Sequence, residues 1–315
     1  MAKQSRFISW LLLFSCNLMW SLQFTCIKLV QNQVGPLFTV WLPTALSVII
    51  LYPLVRAERR QQPAPTPPTG RKRPNLIFVY LLLGIAGVVP GQLLMTWGTR
   101  LSLASNAALL TLTLPVTTAI FAVIFLKEKM TRVRWLSFIL ALIGVVLCSG
   151  VDIHKASFNK EQLFGNLLIF GAILGSSFYN SYGKTALEWH SPMEMLFWTY
   201  VVLVLLMTPF VVAFERESFV HLFSFTAITW TGLLLLTVFH TCLSMILFLK
   251  ALKSIDAIQA ALSNYLIAFF GVPIAAFMLH EHIGWAEIAG GLMVLSSTVL
   301  VTLIDRPTET EPLLV

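Results

Sequence analysis

The sequence predicts an all-α membrane protein: ten transmembrane helices arranged as two inverted five-helix repeats. Three observations predict it. Hydrophobic residues make up 57% of the chain and charged residues only 11%, with a mean hydropathy of +0.82. A soluble fold keeps about a quarter of its residues charged. Apolar windows of membrane-crossing length recur along the chain, and rare polar residues recur inside them at fixed spacing.

A hydrocarbon core of about 30 Å needs roughly 20 residues of apolar helix. On that ruler the spans fall near residues 7–29, 35–55, 76–97, 102–126, 133–151, 162–184, 192–213, 226–249, 256–279 and 285–304. Runs such as Trp10–Met19 and Val201–Ala213 are apolar all the way round, which means burial in lipid or against other helices. Leu-rich runs that tolerate Gly and Pro favour helices over the alternating pattern of an outer-membrane barrel. Lys3 and Arg6 precede the first run as in a signal peptide, but no clean small-residue cleavage site follows. It reads as an uncleaved first helix. Tight links at Gln31–Val34 and Lys127–Val133 make consecutive helices antiparallel neighbours. Residues 59–74, rich in Pro and Arg, form the one flexible linker.

The net charge of +7 does not mark a nucleic-acid binder, because the basic residues sit in short loops between spans. With the N-terminus cytoplasmic, 16 of the 21 Lys and Arg residues lie inside, leaving Lys28, Arg100, Lys155, Lys160 and Arg216 outside. The positive-inside bias therefore sets both termini in the cytoplasm, which an even span count requires. Cys16, Cys26, Cys148 and Cys242 all fall within spans and read as small packing residues.

Lys28, Pro36 and Pro53 recur as Lys184, Pro192 and Pro209, each 156 positions on. Ala104, Ala107, Ala108, Leu109, Leu126 and Glu128 recur as Ala257, Ala260, Ala261, Leu262, Leu279 and Glu281, each 153 positions on. Residues 7–151 and 162–304 thus form the two repeats. Five spans per repeat invert the second copy, a transporter design with the substrate site near the membrane midplane between the halves.

Several motifs carry a family resemblance. Trp20 and Lys28 share the first helix, and Gly98–Leu112 opens the fourth. Pro115 is followed by Lys127-Glu128, with Lys127 where Gly is usual, and Leu279-His280-Glu281 repeats that ending. In this order the chain resembles the EamA-type members of the drug/metabolite transporter superfamily, from about Phe7 to Ile304. Ser176 stands where a second Trp would match Trp20, and Trp41-Leu42-Pro43 where many relatives place an Arg. The resemblance implies export of amino-acid-like or amphiphilic compounds.

A pocket at membrane depth needs polar or aromatic groups, which are costly facing lipid. Lys28 and Lys184 are symmetric candidates for holding a carboxylate or phosphate; each could instead snorkel to the headgroups. Trp20 and Phe24 share a helix face with Lys28, and Gln23 lies beside them. Tyr179 and Asn180 on the sixth span rank above Tyr182, Gln92, Trp97, Asn264 and Tyr265, because repeat symmetry turns the first and sixth spans to the centre. Pro90-Gly91 and Gly271–Pro273 interrupt helices, either beside a cavity or as packing kinks. His240 is the one histidine deep in a span, and it is either a proton carrier or a hydrogen-bonded core residue. His280-Glu281-His282 lacks the i,i+4 spacing of a helical zinc site, so no metal is expected. Glu309–Leu314 fits an acidic dileucine pattern of a kind frequent by chance.

No Walker motif and no nucleophile-base pair stands out, so the sequence points to neither an ATP-driven pump nor an enzyme, and no cofactor is expected. The leading expectation is a secondary permease of the bacterial inner membrane, working by alternating access on a small-molecule substrate as a monomer or homodimer. The alternatives are an exchanger of phosphorylated metabolites or nucleotide sugars using Lys28 and Lys184, and a non-transporting receptor or scaffold.

Overall fold

The computed structural model describes residues 2–61, 75–102, 110–111, 113–148, 160–267, 269–270, 274 and 285–305. Among them all regular structure is helical. Most of the linker, the copies of the 153-residue register at 104–109 and 279–281, the Gly271–Pro273 interruption, the His280–His282 triplet and the dileucine pattern lie outside the described residues.

The first two helices, α1 (Ala2–Ser21) and α2 (Gln23–Val30), form one nearly continuous rod. At their junction the Leu22 amide bonds Met19 three residues back, tightening the turn beside Trp20. Next come α3 (Pro36–Gln61) and a rod of α4 (Leu76–Leu82), a π turn (Leu83–Val88) and α5 (Val89–Leu101). The first half closes with α6 (Leu114–Leu126) and α7 (Arg132–Cys148).

The second half follows the same plan. It holds α8 (Lys160–Ala186), α9 (Pro192–Phe214), the short α10 (Arg216–Val220), and a rod of α11 (Ala227–Leu235), a π turn (Leu236–Leu243) and α12 (Ser244–Ser254). The chain ends in α13 (Ala257–Ser263) and α14 (Trp285–Leu303). Among the described residues, six helical segments are long and apolar enough to cross a membrane: Phe7–Val30, Pro36–Arg60, Leu76–Leu101, Leu163–Ala186, Pro192–Phe214 and Ala227–Ser254. Leu114–Leu126 and Ile288–Val301 are shorter apolar helices.

Prolines open α3 and α9, where their missing amide costs nothing. The first amides of α3 are capped from the other half: the Glu215 carboxylate accepts from Leu37 (3.0 Å) and Phe38 (2.7 Å). At the start of α9, Ser191 caps Glu194 (3.1 Å) and donates to Glu58 of α3 (2.6 Å). These ties, one at each end, hold α3 and α9 as an antiparallel pair between the halves.

Apolar helices gain little from exchanging lipid for each other, so close packing holds them together. Glycines set the closest approaches. A Cβ on Gly98 of α5 would stand 2.6 Å from the Gly165 carbonyl of α8, and one on Gly144 of α7 would stand 2.7 Å from the Gly290 carbonyl of α14. The helix pairs α5–α8 and α7–α14 therefore meet backbone to backbone. Outward faces carry Leu205, Phe210, Ile124 and Trp135, the belt expected against acyl chains.

Candidate functional site

Two polar centres lie inside this apolar body. One is a small chamber enclosed by α2, α3, α5 and the π turn of the second half. Gln23, Gln92 and His240 meet there with Thr39, Thr44, Thr96 and Thr241, against apolar walls from Ile27, Val40, Pro43 and Leu236. Its free volume is about 10 Å³, the room of a single water. Local sequence explains the polar lining. Pro43 withdraws the amide that would bond the Thr39 carbonyl, and the wider π turn carries His240 and Thr241 inward.

His240 is buried. Its Nε2 lies 3.4 Å from Gln92 Oε1, its Nδ1 has no partner among the described residues, and its carbonyl accepts from Ser244 Oγ. The hydroxyls of Thr39, Thr44 and Thr241 donate to the Gly35, Val40 and Leu236 carbonyls at 2.7, 2.8 and 2.6 Å. Their oxygens are left as acceptors facing the chamber. Tyr200 closes one flank by donating to the Thr241 carbonyl at 2.8 Å.

The second centre is an ionic network at the far end of α8. Lys184 donates to Glu128 (3.2 Å) and to the Ile255 carbonyl (2.7 Å), and lies 3.6 Å from Asp256. Glu128 also accepts from the amides of Ala257 (2.8 Å) and Ile258 (3.0 Å), so the loop after α6 holds the start of α13. Arg134, fully buried, pairs with Asp256 and with Asp305 (2.7 Å). Gln259 donates to Asp305 (2.8 Å). A buried charge is tolerable only when paired and hydrogen-bonded, as each of these is.

The lysines of the 156-residue register sit at opposite ends. Lys28 donates to the Thr99 carbonyl at 3.4 Å, and Lys184 to the Ile255 carbonyl, each bond joining residues 71 positions apart. Thr99 lies beside Gly165 at the start of α8, and Lys184 is 19 residues further along that helix, about 28 Å at 1.5 Å per residue. Lys28 makes no ion pair among the described residues.

The remaining candidates scatter. Trp20 lies against Phe248 with ring centroids 5.1 Å apart, and its buried Nε1 has no partner among the described residues. Phe24 packs with Met95, Ile169 and Ile173 on the α5–α8 side. Trp97 is exposed on the outer surface of α5. Tyr179 is buried against Gly87, where a Cβ would stand 2.9 Å from its own Cβ. Asn180 is buried close by on α8. Asn264 and Tyr265 are buried after α13, next to Ser263, which accepts from Asn17 of α1 at 3.0 Å. Neither the Asn264 amide nor the Tyr265 hydroxyl has a partner among the described residues. Of the candidates, Gln23, Gln92 and His240 share the chamber.

The threonines of the chamber and the acids of the network escaped the sequence reading. Threonines are ordinary in apolar helices, and Asp256 is the first residue of the expected ninth span while Asp305 directly follows the tenth, at helix ends where an acid draws no notice. Glu128 alone left a trace, in its duplication.

The EamA-like transporter family model matches residues 7–150 and 163–303. A Bacillus subtilis protein named "Uncharacterized transporter YetK" is 23% identical over 224 residues, 69% of this chain and 67% of its own length. A Rickettsia bellii protein named S-adenosylmethionine uptake transporter is 25% identical over 231 residues, 73% of this chain and 74% of its own. A solved crystal structure superposes with a TM-score of 0.75 at 15% identity, covering 95% of this chain and 97% of its own, a likeness of fold. With two matched segments that together take in nearly the whole apolar body, the chain belongs to the EamA-like transporter family and is an integral membrane transporter.

Proposed function

We propose that the protein is a secondary transporter of small organic metabolites, alternating access between two inverted five-helix halves, residues 7–151 and 162–304. One observation carries the reading. The π turns begin at Leu83 and Leu236, 153 positions apart, in the register of the duplicated Glu, and the duplicated lysines, Lys28 and Lys184, each donate to a carbonyl near the end of the rod that holds the π turn of its own half. Repeated elements in the two halves, with related lysines at opposite ends of the bundle, fit a two-state rocking mechanism.

In this reading the chain spans the inner membrane ten times with both termini in the cytoplasm. The network around Glu128 and Lys184 then lies on the cytoplasmic side and the chamber toward the outer side. Closed ion pairs at the inner end supply the bistable element on which a substrate can act. We place substrate contacts at Gln23 and His240 first. Trp20, Tyr179, Asn180, Asn264 and Tyr265 are further polar and aromatic groups along the path between the halves. A phosphate exchanger would need Lys184 free to meet an anion, and two carboxylates already neutralise it.

The substrate is tested by counterflow. Purified protein in liposomes is loaded with a metabolite mixture that includes amino acids and S-adenosylmethionine, the latter because of the relatives' name. Exchange is then read by mass spectrometry. Saturable exchange of at least one organic metabolite is expected. Loading from either side reads the direction, export on the sequence resemblance and uptake in the Rickettsia name. Exchange no faster than in empty liposomes would overturn the proposal.

A further inference from the structure

The stretch from α2 to the first turns of α3, residues 23–42, lies between two weak points in helix hydrogen bonding. At its start the Ser21 hydroxyl bonds the Leu18 carbonyl (2.6 Å), and the Leu22 amide bonds Met19 three residues back (3.2 Å). A serine bonded back onto its own helix in this way bends it. At its end Pro43 brings no amide to the Thr39 carbonyl, so α3 can kink there. Between them, the turn at residues 31–35 covers one end of the chamber. Gln23, Ile27, Thr39 and Val40 line the chamber from this stretch, and Gln92 and Thr96 line it from α5.

The two sides of this stretch are fastened differently. Toward the second half, the Glu215 carboxylate holds the Leu37 and Phe38 amides, and Trp41 Nε1 donates to Thr208 of α9 (3.0 Å). Gln33 Oε1 accepts from the amide and the hydroxyl of Thr226 at the start of α11 (both 3.0 Å). Val30 packs so closely on α11 that a Cβ on Gly232 would stand 2.7 Å from its side chain. Toward α5, the polar ties among the described residues are the tips of two long cations. Arg100 donates to the Val34 (2.8 Å) and Gln31 (3.2 Å) carbonyls, and Lys28 to the Thr99 carbonyl (3.4 Å). Water replaces such bonds at modest net cost. We infer that residues 23–42 are a hinged flap, bending at Leu22 and Pro43, whose parting from α5 opens the chamber at this end of the bundle, with Arg100 as its clasp. The inference rests on the transporter reading and names the part that moves. The π turn at Leu236–Leu243 gives α11 a bend of its own, so flap and α11 tilt together and their close packing survives. The seam that parts runs between the lining residues of the flap and those of α5. A chamber with room for one water when closed therefore widens as the flap swings.

The test uses the full chain in lipid nanodiscs, where both faces meet water, with the four native cysteines replaced by alanine. Gln23→Cys is the probe, read by its rate of reaction with a water-soluble maleimide. Arg100→Ala is expected to raise that rate by about tenfold, the worth of one bond from a charged donor. Pro43→Ala supplies the missing amide and stiffens α3, and is expected to lower the rate by about threefold. Ser137→Cys, buried on α7, is expected to stay unreactive throughout. Opposite shifts from the two variants mark a clasp and its hinge, whereas loosening of the whole fold would expose both probes together. If Arg100→Ala fails to fold, Pro43→Ala with Arg100 unaltered still decides. An unchanged rate in Arg100→Ala, a rate that Pro43→Ala does not lower, or labelling of Ser137→Cys alongside Gln23→Cys would overturn the flap. Unmoved labelling beside intact counterflow would sink the flap and leave the transporter reading standing; the expected labelling without counterflow of any metabolite would do the reverse.

Discussion

Lys127 is the one residue other than glycine with a positive φ among the described residues, at 53°. It ends α6 in the left-handed conformation, and that reversal swings Glu128 toward α13. The family resemblance places glycine here, and the geometry gives the reason, since a Cβ in this region costs about 1–2 kcal/mol. Lys127→Gly is therefore expected to stabilise the protein by about 0.5–1 kcal/mol once glycine's own entropy is set against the relieved strain. Urea unfolding followed by tryptophan fluorescence would measure it. Arg134 is the opposite case. It is fully buried between Asp256 and Asp305, so Arg134→Ala strands two carboxylates. Breaking a buried pair in this way costs about 3–5 kcal/mol, a loss the same unfolding experiment would register.

At the scale of the element, close approach of backbones decides which helices pair. The meeting of Gly98 with Gly165 leaves no room for a side chain: the atoms a Cβ would meet are a carbonyl oxygen and the Ile169 side chain at 2.6 and 2.7 Å. Gly98→Ala is expected to force α5 and α8 apart and to destabilise the protein by about 1–3 kcal/mol, read as a lowered unfolding midpoint. The helices themselves were legible from apolar run length, and all six long spans among the described residues begin within two residues of their expected places. Expectation and structure part inside the third and eighth spans. There, residues expected to continue an ordinary helix form π turns, Leu83–Val88 and Leu236–Leu243. Nothing in hydropathy distinguishes a wider turn from a normal one, because the extra residue is accommodated by neighbouring helices rather than by its own sequence.

At the scale of the whole molecule, the proposed topology places Asn32 outside and Lys129 inside; both are exposed. In a background where serine replaces Cys148, a membrane-impermeant maleimide is expected to label Asn32→Cys in intact cells. Lys129→Cys should react only after permeabilisation, and the reverse pattern would invert the topology. The native thiols Cys16, Cys26 and Cys242 are buried and contribute little background. Locking the inner end is the second test at this scale. A crosslink between Glu128→Cys and Ile258→Cys is expected to stop counterflow, with flux restored on reduction, because the loop after α6 could then no longer part from α13.

The sequence by itself determined the solvent, the length of the spans and the family. Each follows from composition, periodicity or the order of motifs, properties that a linear chain carries in full. It also exposed the duplicated lysines, since charge is rare enough in spans for a repeat to stand out. Tertiary structure alone decided what those residues do. Lys184 became the partner of Glu128 and Asp256 while Lys28 found a carbonyl. Gln23 and His240, 217 positions apart, came to share one chamber while Trp97 turned outward. A hydrogen bond or an ion pair depends on where a side chain points and on what faces it across the bundle. Helix rotation and packing set both, and neither is written in the local sequence.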